Sequence, residues 1–285
     1  MTDSRDRQLT QQEQRAQQEL HEKNLDRIRR FCLMDDDFLN AAFAGNNECT
    51  QLVLRIILEI DDLTVTEVIT QKSVKNIYGR SVRLDIFATD SSGKRYNIEV
   101  QRSDYGAGAR RARYNSSLMD AEISVSGEDT AELVDTYVIF ITQNDVLGRG
   151  LPVYHVERVV KETGLNFGDG AHILYVNGSY ESDNDIGKLM HDFRCTEPDD
   201  MHYKELADVT RYLKKDEGGV RSMCKIMEEA IQEARLEARL EAQIQAKYEF
   251  ALTLIKMGVL SREKIAEATG LPLEEIELLS QQQGA

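Results

Sequence analysis

A chain of 285 residues that is 41% apolar can bury one sizeable core with helices to spare, while a net charge of −15 at pH 7 excludes a broadly basic surface that coats nucleic acid. The four cysteines have neither the paired spacing of a zinc site nor the density of a disulfide scaffold, and the five histidines form no i, i+4 pair, so none is assigned to a metal. No run of about 18 apolar residues occurs and Met1 leads into Gln- and Arg-rich sequence, so the expectation is a soluble, cytoplasmic protein with reduced thiols and no membrane partner.

Residues 1–31 are rich in Gln, Glu, Arg and Lys with sparse apolar positions at Leu20, Leu25 and Ile28, which fits an accessory helix resting lightly on a larger body, or a solvated segment. From Asp35 onward apolar residues recur at helical spacing, with Phe38, Phe43, Leu54 and Ile57 among them, interrupted near residues 45–47. Residues 64–73 (TVTEVITQKS) are β-branched and predict a strand. Residues 82–88 and 95–101 are two more strands, joined by a turn-forming stretch at 89–94, and should make a hairpin.

Residues 107–119 are helical in composition, and residues 135–142 (DTYVIFIT) form a continuous apolar run suited to a strand buried on both faces. A further strand is expected at 173–176. The order helix, three strands, helix, strand predicts an α/β domain on a mixed sheet. Residues 221–257 form a long Ala-, Glu- and Arg-rich helix containing EARLEARLEA, and its Met223, Met227, Leu236, Leu240 and Ile244 suggest a face for a partner or for a second copy in a homo-oligomer, with a lone solvated helix as the alternative. Residues 261–280 read as two short helices separated by Gly270 and Pro272, but the second carries three glutamates and is a packing module before it is a DNA reader. The domain division is therefore an accessory helix at 1–32, a core at 33–200 and a helical C-terminal region at 201–285.

Strand alternation puts Val82, Leu84 and Ile86 on one face and Arg83, Asp85 and Phe87 on the other. A hairpin symmetric about Ser92 then sets Asp85 opposite Glu99, with Cβ atoms about 5 Å apart. Two like charges so placed need a shared proton or a cation, and Mg²⁺ is held by one or two carboxylates. Gln101 shares the Glu99 face, where its amide can orient water or a phosphate. Two alternatives remain on the residues alone: solvated carboxylates on an edge hairpin, or a retaining glycosidase pair, which the absence of Trp disfavours and a metal requirement would exclude.

The pattern D85-(x)13-E99-x-Q101, together with LMDDDFLNAAF, GRSVRLDIFATD, YNIEVQRSD, GARRARYNSSL and DTYVIFIT, resembles the PD-(D/E)XK nuclease family transposases, which include the recombination-promoting nucleases. The likeness spans roughly residues 33–200, and IAEATGLPLEEI resembles tails of the same family. It implies a restriction-endonuclease-like αβββαβ core with an N-terminal helix and a C-terminal helical extension. It also implies DNA endonuclease activity that depends on Mg²⁺ or Mn²⁺, in bacterial recombination or mobile-element functions. Asp85 and Glu99 match the metal-binding catalytic acids. Gln101 stands where the signature lysine would be, and Leu84 replaces the proline. Asp36 is the best match for an acid that completes the metal site from the first helix, with a helix N-cap cluster as the alternative. Arg110 and Tyr114, four apart on one helix face, match the family's Arg and Tyr and imply a contact to the DNA phosphate, the alternative being a salt-bridged arginine beside a half-buried tyrosine. The competing reading is a catalytically degenerate nuclease fold serving as a scaffold or interaction protein.

Overall fold

The computed structural model describes residues 11–75, 81–102, 104–124 and 129–282, which fall into two compact units, one running to Cys224 and the other from Lys225. Of the expected accessory segment, residues 1–10 lie outside the described part.

The first unit opens with α1 (Gln11–Arg30), α2 (Asp36–Phe43) and α3 (Asn47–Leu58). Asn46 starts α3 by accepting the Cys49 N–H at 3.1 Å, and Glu59 stops it in the left-handed region at φ 56°. Asp35 occupies the N-cap position of α2 without capping it, because its carboxylate accepts the Cys32 N–H at 2.9 Å and pairs with Arg102 at 3.0 Å. Among the described residues no helix is long and apolar enough to cross a membrane.

Three antiparallel strands follow, β1 (Val65–Val74), β2 (Val82–Asp90) and β3 (Arg95–Gln101), and then α4 (Ala109–Ile123) crosses back to β4 (Thr136–Thr142), which runs parallel to β3. The chain continues through β5 (Val153–Val156), a two-stranded ribbon of β6 (Val159–Val160) and β7 (Leu165–Asn166), and β8 (Ala171–Asn177). The six-stranded sheet has the order β1-β2-β3-β4-β8-β5, with β4 and β8 parallel and β5 antiparallel at the edge. A parallel β3–β4–β8 centre requires long crossovers, through α4 from β3 to β4 and through the β5–β7 segment from β4 to β8, and cover on both faces, and the unbroken YVIF run of β4 supplies apolar side chains to both. The edge strand β5 and the ribbon are not among the strands expected from the sequence, although residues 153–160 (VYHVERVV) are rich in strand-forming Val and Tyr.

On one face, Ala112, Leu118 and Met119 of α4 pack with Phe87, Val138, Phe140 and Tyr175. Ile98, Val100, Ile139, Ile141, Leu174 and Val176 alternate to the other face and are at most 2% exposed. There α2 and α3 lie against β1, and α2 against β2. Two further helices complete this layer: α5 (Asp185–Arg194) against α3, and α6 (Lys204–Lys215) against α2 and α3. Each large side chain buried in these layers contributes about 1.5–3 kcal/mol.

The expected alternation along β2 does not run through. Ile69 pairs with Phe87, Thr70 with Ile86 and Lys72 with Leu84 in one continuous register, and Gln71 between them turns into the left-handed region at φ 53°. That kink rotates the outer halves of both strands, so Leu84 joins Phe87 in the α4-side cluster instead of following Ile86. Lys72 shows the same rotation, pairing with Glu122 of α4 at 2.8 Å and lying 3.6 Å from the Phe87 ring centre. Asp85 sits at the point where the strand turns over.

In the second unit the long helix α7 (Glu217–Met257), which begins before Lys225, is followed by α8 (Arg262–Thr269) and α9 (Leu273–Gln282). Ala251, Ile265 and Ile276 form its small core, Ser261 caps α8, and Gly270 ends it at φ 68°. Of the residues expected to form a self-associating stripe on α7, Met223 and Met227 are buried, whereas Leu236, Leu240 and Ile244 are half exposed. The first two are therefore unavailable to a partner.

Candidate active site

The β2–β3 ladder ends at Ile86–Ile98, and Asp85 and Glu99 are the next positions, where the two strands part. Side chains replace the ladder there. The Asp85 carboxylate accepts the Val100 N–H at 3.2 Å, and the Asp85 N–H donates to the Glu99 carboxylate. The structure thus brings the two acids together at a fork in the sheet.

Glu99 is fully buried and surrounded by donors. Arg111 Nη2 lies 2.6 Å from its Oε2, while Asn97 Nδ2 and Asn115 Nδ2 approach Oε1 at 3.0 and 3.4 Å. The same guanidinium donates to Gly106 O at 3.0 Å and to Gln101 Oε1 at 3.4 Å, and rests over the Phe140 ring. Arg111 therefore ties Glu99, Gln101 and the start of α4 into one cluster. The buried Oδ1 atoms of Asn97 and Asn115 have no partner among the described residues. The surroundings of Glu99 thus hold two carboxylates and two unspent amide oxygens, donors of the oxygen type that hard divalent cations take, although Asp85, Glu99 and Asp36 do not form a three-ligand cluster.

Burial raises the pKa of Asp85, and the charge of Glu99 raises it further. Glu99 is raised as well, by burial, against the opposing pull of Arg111. A carboxyl that holds its proton more tightly folded than unfolded costs stability as pH climbs from its ordinary value of 3.8 through the raised one. Metal-free Asp85→Asn protein should therefore be more stable than wild type at pH 8, by about 1–3 kcal/mol, and indistinguishable from it near pH 4. Thermal melts across pH check this; a variant that is equally or less stable at pH 8 would show that the pair carries no strain.

Asp36 is exposed at the start of α2 and lines a cleft of about 440 Å³ together with Val100 and Gln101. Its pKa is raised by loss of solvent around the carboxylate, then by the neighbouring Asp37 and Asp35, and its charge is among the causes that raise Asp85. Asp35, engaged with Arg102, has a structural task instead.

A second cleft, of about 570 Å³, is lined by Arg83, Arg110, Arg111, Arg113 and Tyr114. Arg110 stands exposed on its rim, and Tyr114 is half-buried against the α4-side cluster. In a chain of net charge −15, this is a local concentration of arginine. Sequence reasoning chose Arg110 and passed over Arg111, the arginine that touches the carboxylate, and over Asn97 and Asn115. A signal was present: Arg111 and Asn115 are four apart and flank the buried Ala112, and Asn97 shares a strand face with Glu99.

The absence of a side chain at Gly106 leaves the room that the Gln101 amide occupies. A Cβ at that position would lie 1.8 Å from Gln101 Oε1 and 2.7 Å from its Cδ, so Gly106→Ala must displace the amide. Since the obstacle is the end of a flexible side chain, stability should change by less than about 1 kcal/mol. Any activity that depends on Gln101 should fall in Gly106→Ala to the level of Gln101→Ala, a comparison of rates that would fail if Gly106→Ala retained full activity.

A mixed sheet with an antiparallel β1–β2–β3 half, a crossover through α4 to a parallel β4 and an acidic pair at the β2–β3 fork defines a PD-(D/E)XK-type nuclease core. The chain belongs to the PD-(D/E)XK nuclease family transposases, whose family model matches residues 42–249. It thus carries a nuclease-type domain. No curated protein and no solved structure matches it.

Proposed function

We propose that the chain is a divalent-metal-dependent DNA endonuclease that hydrolyses phosphodiester bonds, with Asp85 and Glu99 as the ligands of Mg²⁺ or Mn²⁺ and Asp36, which does not close a three-ligand cluster with them, drawn in on binding. The observation that carries this reading is the pair of half-buried Asp85 and fully buried Glu99, hydrogen-bonded across the strand fork of a nuclease-family fold. A cation bound there supplies positive charge to a phosphodiester and acidifies nearby water. Its binding also removes the repulsion that the two carboxylates otherwise relieve by keeping a proton.

The remaining roles fall to the chain's own side chains. Arg111 compensates Glu99 and, by donating to Gln101 Oε1, leaves the Gln101 NH₂ as a donor toward water or a phosphate oxygen. That is the polar part of the signature lysine's role, without its charge. Arg110, Arg113 and Tyr114 line the adjoining cleft, where guanidinium groups suit the DNA backbone and give the acidic protein a local phosphate footprint. The likeness to recombination-promoting nucleases supports action on bacterial DNA in recombination or mobile-element turnover, in the cytoplasm. Supercoiled plasmid incubated with pure protein tests the proposal: nicking with Mg²⁺ or Mn²⁺ that EDTA stops is the expected result. No nicking with either metal would make the fold a scaffold.

A further inference from the structure

At the end of α5, His191 and Asp192 meet His202, which residues 195–203 carry back to them. One ring nitrogen from each histidine and one Asp192 oxygen lie within 4.8 Å of one another, and the two rings are 4.8 Å apart between centroids. The carboxylate is firmly held. Asp192 is fully buried, its two oxygens accept the His202 N–H at 2.9 and 3.0 Å, and Oδ2 also accepts the Tyr203 N–H at 2.8 Å. His191 Nδ1 lies 3.2 Å from Oδ1, with the His191 side chain 45% exposed and His202 exposed. A fixed carboxylate thus faces two imidazoles that solvent can reach.

We propose that His191, Asp192 and His202 form a site for a borderline transition cation of the Zn²⁺ class, separate from the carboxylate pair at the β2–β3 fork. Two imidazoles with one carboxylate are the donor set that such a cation takes and that Mg²⁺, preferring all-oxygen ligands, does not. Tetrahedral ligands about 2.1 Å from a cation stand about 3.4 Å from each other, so the widest separation in the cluster, up to 4.8 Å, must close by as much as about 1.4 Å. The exposed His202 ring is free to make that movement. Asp192 serves either as the third ligand or, through His191 Nδ1, as the carboxylate that orients a ligating imidazole. The bound ion clips the end of α5 to the loop that starts α6, and α6 packs on α2 and α3. The histidines are eleven positions apart in the sequence, which is why no spacing motif marks the site.

Calorimetry with Zn²⁺ on chelator-treated, full-length Asp85→Asn protein isolates this site from the other. The expected result is one equivalent of Zn²⁺ bound in the presence of excess Mg²⁺, with affinity at least tenfold weaker when His202→Ala is added. His202 is exposed, so this change should leave the fold intact, and the Zn²⁺-induced rise in melting temperature should disappear with it. Absence of Zn²⁺ binding to Asp85→Asn, or equal binding with and without His202, would overturn the proposal.

Discussion

Asp85→Asn and Glu99→Gln are each expected to lower metal-dependent plasmid nicking by about a thousandfold or more, because each removes one of two buried charges that a divalent cation needs. Isosteric amides are the informative changes. Glu99→Ala would strand the Arg111 guanidinium and the Asn97 and Asn115 amides, and the lost activity would be confounded with misfolding. Gln at 99 keeps an acceptor for those donors, and Asn at 85 keeps one for the Val100 N–H. An inactive Asp85→Asn protein that is also more stable than wild type at pH 8 would separate a functional acid from a structural one, since loss of a structural carboxylate costs both. Undiminished nicking by either variant would remove that residue from the site.

The second large effect concerns α7. Leu236, Leu240 and Ile244 stand one helical turn apart and are 58%, 49% and 52% exposed, an apolar stripe on a helix otherwise rich in Glu, Arg and Ala. The expectation is self-association through this stripe, which would bring two single-site nucleases to one duplex. Changing all three to Glu should halve the mass found by light scattering at micromolar concentration and lower the share of linearised relative to nicked plasmid. Because the three side chains are exposed, the second unit should keep its Ala251, Ile265 and Ile276 core and its helical CD signal. A wild-type protein that is already monomeric, or a variant of unchanged mass, would eliminate α7 as the oligomerisation element.

Much of the first unit is legible in the sequence because its signals are local. The β-branched run of β1, the turn residues between β2 and β3 and the unbroken apolar run of β4 each specify a strand by short-range pattern, and the family motif fixes their order. The Asp85–Glu99 juxtaposition follows from counting outward from Ser92. What escaped detection depends on long-range geometry or on backbone that departs from the ideal. The rotation at Gln71 breaks the period-two rule just beside Asp85, and no local pattern announces a left-handed glutamine. The choice between Arg110 and Arg111 rests on a phase difference of one residue along α4, which only its packing through Ala112 decides. Met223 and Met227 match the apolar period of α7 as well as Leu236 does, and burial alone separates them.

The central claim is that Asp85 and Glu99 hold a divalent cation, and calorimetric titration of Mn²⁺ into metal-free protein at pH 8 tests it most directly. The account predicts that wild type binds Mn²⁺, that proton release on binding increases at lower pH, where the raised carboxyls still carry their protons, and that Asp85→Asn and Glu99→Gln each weaken binding at least tenfold. Mn²⁺ binding of equal strength in wild type and both variants would contradict it.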